Sequence, residues 1–287
     1  MQAGGFMDIR QRWIGKSRRS GADRRVGIAM LIYKGPEKRQ GIDRRNRKKT
    51  SLLVVDSSPT HLFYMGMLLK KLKYDVRTSW TAEDALQTLE NFSPALVITE
   101  ADLPRMSGIN LLKQMRRDAR LKTIPVIIHT ADEDPAIRTS CKIEGCSGFF
   151  KKPADPDALY RVIQAATEPA PRHTIRIDTS LTVEVGDGAS PGGVVRKETG
   201  TDMSEDGLYI KTLTPEPANT LVSLKILIPN SQLNVTGIVL YNSRIAGGEH
   251  KEPGMAIRFV SISPEDKILL RNFIKQVVTK GLSMPKG

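Results

Sequence analysis

Two short motifs near the C-terminal end carry residue types that could hold a charged ligand. Arg172-His173-Thr174-Ile175-Arg176 is an R-x-x-x-R, and Asp202-Met203-Ser204-Glu205-Asp206-Gly207 is a D-x-S-x-x-G. Arginine offers a planar fork that pairs with phosphate or with the O6/N7 edge of guanine. Neither motif is specific alone. About two R-x-x-x-R matches are expected by chance at this arginine content, and Arg116 to Arg120 is another. The second motif reads equally well as a turn, in which Asp and Ser bond local backbone and Gly supplies a positive φ. A further set, Asp56-Ser57, Glu100, Thr130 and Lys152, lies at the ends of short apolar runs. The four histidines are scattered, and neither they nor Cys141 and Cys146 have zinc-site spacing. A metal-centred enzyme is therefore not expected. The two cysteines exclude a disulfide scaffold and are read as small buried residues.

The elements that must position these residues change character along the chain. A length of 287 residues predicts about two domains, and 39% hydrophobic residues suffice for two cores. Over 51–166, strand and helix signals alternate. Leu52-Leu53-Val54-Val55, Leu96-Val97-Ile98 and Val126-Ile127-Ile128 are continuous apolar runs, as in strands buried on both faces; Val76 and Phe149-Phe150 mark two more. Leu62, Met65, Leu68, Leu69 and Leu72 have helical spacing, Thr81-Ala82-Glu83-Asp84 opens a capped helix, and Leu159, Val162 and Ile163 mark a closing one. Such repeated units predict an α/β doubly wound parallel sheet of five strands. Its ligands bind beyond the carboxyl ends of the strands, where Asp56, Ser57, Glu100, Thr130 and Lys152 fall. Thr167-Glu168-Pro169-Ala170-Pro171 reads as a linker, and then the period becomes two. Ile175, Ile177, Thr179, Leu181, Val183 and Val185 alternate, and further strands are expected at 206–212, 220–229, 233–242 and 254–261. Turn residues at 186–188, 215–217, 229–231 and 246–248 separate them, predicting a small all-β antiparallel barrel. Ser263-Pro264-Glu265-Asp266 caps a final helix.

The segment 51–166 resembles the receiver domain of bacterial two-component response regulators. The resemblance rests on Val54-Val55-Asp56, Leu103-Pro104-Arg105-Met106-Ser107-Gly108, Pro125-Val126-Ile127-Ile128-His129-Thr130-Ala131 and Gly148-Phe149-Phe150-Lys151-Lys152-Pro153. It implies a pocket in which paired acids bind Mg²⁺, an Asp accepts a phosphoryl group, and a Thr and a Lys contact the phosphate. Here the acceptor position is Glu100 and the second metal acid is Ser57, while Thr130, Lys152 and a switch aromatic, Phe149, are retained. Glutamate reaches about 1.5 Å further than aspartate, in-line transfer tolerates misplacement of roughly 1 Å poorly, and a lost carboxylate weakens Mg²⁺. The expectation is a degenerate receiver that is not phosphorylated, with at most weak Mg²⁺ at Asp56 and Glu100. Glu100 either mimics a phosphorylated Asp by pairing with Lys152 or simply supplies a carboxylate to a structural pair.

The two arginine and aspartate motifs, in this order and on one barrel, resemble the PilZ domain, as do Gly254-Met255-Ala256-Ile257-Arg258-Phe259 and the capped helix after it. The resemblance implies binding of cyclic di-GMP, with Arg172 and Arg176 on phosphates and guanine edges, Asp202 and Ser204 on a guanine edge, and Gly207 allowing close backbone approach. The expected organisation is a basic arm at 1–50, a receiver-like domain at 51–166, a linker at 167–171 and a PilZ-like barrel at 172–280. The arm holds 15 Lys and Arg against 4 Asp and Glu, a net of +11 within the chain's +13, and a short repeat of Arg18–Arg25 at Lys38–Arg45. It is expected to be a solvated arm, with docking on acidic surfaces as the sharper reading. No apolar run reaches the ~20 residues of a membrane span, and a signal peptide is not expected. Together these features predict a cytoplasmic, non-enzymatic cyclic-di-GMP effector or adaptor of motility, surface polysaccharide or biofilm-type behaviour, meeting a protein partner or a second copy through its receiver face. The alternative is a phosphorylation-responsive regulator with a nucleic-acid-binding arm and a ligand-free barrel.

Overall fold

The computed structural model describes residues 49–132, 134–186, 194–243 and 252–282. The basic arm up to 48 and the expected turns at 187–188 and 246–248 lie outside the described residues.

The first half is built from β1 (Ser51–Val55), α1 (Pro59–Lys71), β2 (Asp75–Ser79), α2 (Ala82–Asn91), β3 (Leu96–Thr99), α3 (Gly108–Arg117), β4 (Val126–Thr130), α4 (Pro135–Ile143), β5 (Gly148–Lys151) and α5 (Pro156–Thr167). The strands form a parallel sheet in the order β2-β1-β3-β4-β5. The doubly wound sheet expected from the alternating pattern is therefore present. Because successive side chains point to opposite faces, Leu52 and Val54 join one apolar cluster with α1 and α5, while Leu53 and Val55 join another with α2, α3 and α4. Local chemistry starts the helices: Ser58, Thr81, Ser107, Asp134 and Asp155 cap them, and Pro opens α1, α4 and α5.

The second half contains β6 (Ile177–Val185), β7 (Arg196–Ser204), β8 (Gly207–Lys211), β9 (Leu221–Ile228), β10 (Ser231–Ser243), β11 (Gly254–Ile262) and α6 (Pro264–Thr279). The strands close as an antiparallel barrel in the order β10-β11-β8-β7-β6-β9. Alternation along β9 and β10 sends Val222, Leu224, Ile226, Leu233, Val235 and Val239 inward. Ser263 caps α6 by accepting from the Asp266 amide.

The barrel and sheet share one core. The α1/α5 cluster runs without a break into the barrel interior and the buried face of α6. Lys275 of α6 bonds Asp155 at 2.6 Å, and Lys71 donates to the Val277 and Lys280 carbonyls. Cys141 and Cys146 form a disulfide with Cα atoms 5.3 Å apart. Cys141 is buried, as read from the sequence, whereas Cys146 is only half-buried; the pairing itself was not foreseen, and it links the end of α4 to the turn before β5.

Candidate functional site

The barrel motifs meet at one edge. Arg172 and Arg176 lie in the segment leading into β6 and are both exposed. Asp202 and Ser204 end β7, Gly207 begins β8, and Glu205-Asp206 forms the tight turn between them. Ile177 pairs with Met203 and Asp178 with Asp202, so Arg176 lies one residue before the registered ladder. Thr174 donates to Asp206 Oδ2 at 2.9 Å, tying the arginine segment to the turn. The Ser204 hydroxyl is buried and spent locally, accepting from the Asp206 amide at 3.3 Å and donating to the Gly207 carbonyl at 3.4 Å. Gly207 does not have a positive φ. A Cβ there would lie 2.1 Å from the Ile257 carbonyl oxygen, so its lack of a side chain lets β11 pass close by.

The sheet contributes to this edge. The Arg172 amide donates to Gln164 Oε1 at 3.1 Å, and its guanidinium lies beside the Tyr160 hydroxyl, close enough to favour the phenolate. Gln164 also donates to the Tyr74 hydroxyl at 2.9 Å. Burial pushes the Tyr160 phenol up, against the opposing charges of Arg172 and Arg176. Lys73, in the α1–β2 turn, contacts Asp178 at 2.7 Å and Asp202 at 3.5 Å.

The second constellation lies at the carboxyl ends of β1, β3, β4 and β5. Lys152 bridges two carboxylates, contacting Asp56 at 2.5 Å and also Glu100. Asp56 Oδ1 accepts from the Ser58 amide at 2.8 Å, and Glu100 Oε1 accepts from the Ala101 amide at 2.7 Å. Asp56, Glu100 and Thr130 are buried, whereas Ser57 is exposed. Thr130 accepts from the Asp132 amide at 3.1 Å. Gly108 sits so tightly under Glu100 that a Cβ would lie 1.9 Å from its carbonyl oxygen. His61 and His129 complete the pocket with rings 4.8 Å apart, and His61 Nδ1 is 3.9 Å from Asp56. Burial is the main cause that pushes His129 down to about 3, helped by His61 and Lys152. Burial also lowers His61, against the pull of Asp56.

Mg²⁺ needs a near-octahedral set of oxygens at about 2.0–2.1 Å. Here both carboxylates are committed to one ammonium, and the second acid of the pattern is an exposed serine. Among the described residues no group of three or more His, Cys, Asp and Glu could hold a metal. These side chains do not fit the ion.

Residues 52–164 match the response regulator receiver domain family, and residues 170–276 match the PilZ domain family. The chain is 32% identical over 115 residues to Response regulator Rre1 of Synechocystis, covering 40% of this chain and half of Rre1. It is also 32% identical over 112 residues to Two-component response regulator ORR3 of Oryza sativa subsp. indica, covering 39% of this chain and 86% of that protein. The chain belongs to the response-regulator family. Among solved structures, the signal receiver domain of an HD domain-containing protein from Pseudomonas fluorescens Pf-5 is 30% identical, with a TM-score of 0.40, over 42% of this chain and 96% of that one. This response regulator thus joins a receiver to a PilZ domain, both signalling domains, and no helix among its described residues is long and apolar enough to cross a membrane.

Several neighbours of these sites were not singled out from sequence. Lys73, Tyr160 and Gln164 of the receiver reach the PilZ motifs from 129, 12 and 8 residues away along the chain. His61 and His129 stood out only as members of a scattered set. Asp178 had a readable signal, since it follows Arg176 by two positions and is the second residue of β6.

Proposed function

We propose that this response regulator is a cyclic-di-GMP-binding effector or adaptor whose receiver does not accept a phosphoryl group. The reading rests chiefly on the Thr174–Asp206 hydrogen bond, which draws the arginine segment onto the D-x-S-x-x-G turn. Two exposed guanidiniums and a carboxylate then stand at one barrel edge. Cyclic di-GMP is a dianion with two guanine edges, which such a set complements. Arg172 and Arg176 take phosphates and guanine O6/N7. Asp202 accepts from guanine N–H groups. Ser204 shapes the turn that presents Asp202, and Gly207 keeps the backbone there close-packed.

In the receiver, Lys152 is the cation a phosphoryl group would need, and Glu100 already holds it together with Asp56. Thr130 remains at its strand end without an acceptor Asp to serve. Glu100 acts as a permanent partner in place of a phosphorylated Asp. The protein works by binding rather than catalysis, in the cytoplasm, with its receiver face meeting a protein partner or a second copy and its basic arm on an acidic surface. Motility, surface polysaccharide or biofilm-type behaviour is the output class this ligand implies. The working units are 51–166 and 172–280, joined by 167–171.

Calorimetry with cyclic di-GMP tests the ligand. Binding in the micromolar range or tighter is expected, and Arg172→Ala or Arg176→Ala should each weaken it about 10- to 100-fold, as for a lost charge-assisted hydrogen bond. No heat at high micromolar ligand overturns the reading.

A further inference from the structure

Asp178 and Asp202 are directly opposed cross-strand partners on β6 and β7. Like charges in that position repel, and a cation that contacts both carboxylates comes from the other domain. Lys73 lies just past the end of α1 with a left-handed φ of 71°, in the turn that carries the chain into β2. Its Nζ contacts both carboxylates, at 2.7 and 3.5 Å. A few residues away, Arg172 is engaged by Gln164 and Tyr160 of α5. The receiver therefore holds one residue from each PilZ motif.

We infer that the receiver competes with the ligand for the PilZ motifs, with Lys73 clasping the Asp178–Asp202 pair and Tyr160 holding Arg172. The inference rests on the cyclic-di-GMP reading for the identity of the competitor. Guanine N–H donors and the Lys73 ammonium both seek the Asp202 carboxylate; phosphate oxygens and the Tyr160 hydroxyl both seek the Arg172 guanidinium. The clasp is built to be displaced. Side-chain exposure is 46% for Lys73, 78% for Asp178 and 33% for Asp202, and ion pairs so open to water are weak. A ligand that takes these groups must first detach them from the receiver, so removing a receiver contact should tighten binding. By reciprocity, the ligand should loosen the junction by the same factor.

The test uses the full chain. Calorimetry with cyclic di-GMP compares wild type with Lys73→Gln, Tyr160→Phe and the double variant. Lys70→Gln removes a lysine from the last turn of α1 as a control for charge. Lys73→Gln should tighten binding about two- to fivefold, the scale of an exposed ion pair. Tyr160→Phe should act in the same direction, and Lys70→Gln should change nothing. Unchanged or weaker binding by Lys73→Gln would overturn the competition and make Lys73 a bystander or a ligand contact. A second arm contains no ligand: an arginine-specific protease should cut after Arg172 faster in Lys73→Gln than in wild type. Equal cleavage rates would show that Lys73 does not hold the junction. If wild type gives no heat with cyclic di-GMP, the ligand reading falls, and the protease arm still decides whether Lys73 clasps the barrel.

Discussion

At the level of single residues, the Asp56–Lys152–Glu100 group carries one cation for two anions, and its asymmetry has a measurable consequence. Removing the cation strands two buried carboxylates side by side, whereas neutralising Glu100 leaves a one-to-one pair. Breaking a buried pair by removing one partner costs about 3–5 kcal/mol. Lys152→Met should therefore destabilise by about 3 kcal/mol or more, and Glu100→Gln by less than about 1 kcal/mol, since Asp56 keeps its partner. Urea unfolding of both variants checks the contrast. The same pocket makes the phosphorylation test one-sided. Acetyl phosphate and Mg²⁺ should leave the mass unchanged in wild type and in Glu100→Asp, because Ser57 still lacks the second metal carboxylate. A stable adduct with the mass of a phosphoryl group on wild type would refute the non-phosphorylated reading.

The buried histidines add a pH dependence. His129 titrates near 3 in the folded protein against 6.5 for an ordinary imidazole, and His61 is lowered as well. Between those values the unfolded chain binds more protons than the native one, so stability falls as the pH drops from about 6.5 towards 3. Replacement of His129 by Leu should flatten that limb in a series of denaturation curves taken across this range. An unchanged slope would mean that the acid loss comes from the carboxylates alone.

At the level of elements, backbone approach decides which glycines matter. Gly207→Ala would drive a Cβ into the Ile257 carbonyl and push β8 from β11, at a cost of about 1–3 kcal/mol or more. Gly66, inside α1, has nothing within 4 Å of the same atom. Gly66→Ala should stabilise by about 0.5–1 kcal/mol through helix propensity. Thermal melts of the pair separate close packing from mere chain flexibility. Elements also differ in how clearly the sequence announces them. Strands β1, β3 and β4 were visible because burial on both faces demands continuous apolar residues. The barrel strand β7 was missed, because Arg-Lys-Glu-Thr-Gly-Thr-Asp-Met-Ser buries little along its length. Backbone pairing to β6 and β8 on its two sides keeps it a strand.

At the level of the whole molecule, the shared core makes the receiver and the PilZ domain one packed body rather than beads on a string. Apolar clusters continuous across a junction couple unfolding. A single cooperative calorimetric transition is expected for the pair, and two resolved transitions would show that the junction contributes little.

Legible in the order of residues are the alternation of strand and helix, the change of period near 171, the capped ends of the helices, the parallel sheet and the barrel. The resemblance to two known families marked the motif residues, Glu100 at the expected acceptor position among them. The elements follow from local rules: side-chain period, capping chemistry and turn residues act within a few positions of the chain. Which groups meet depends instead on how the folded chain brings distant segments together. That Lys152 spans two carboxylates, that the rings of His61 and His129 meet edge to face, and that Lys73 lies against Asp178 and Asp202 depend on segments up to 129 residues apart. No periodicity encodes such pairs, because a charged side chain on a turn looks the same in sequence whether it faces water or a carboxylate of another domain.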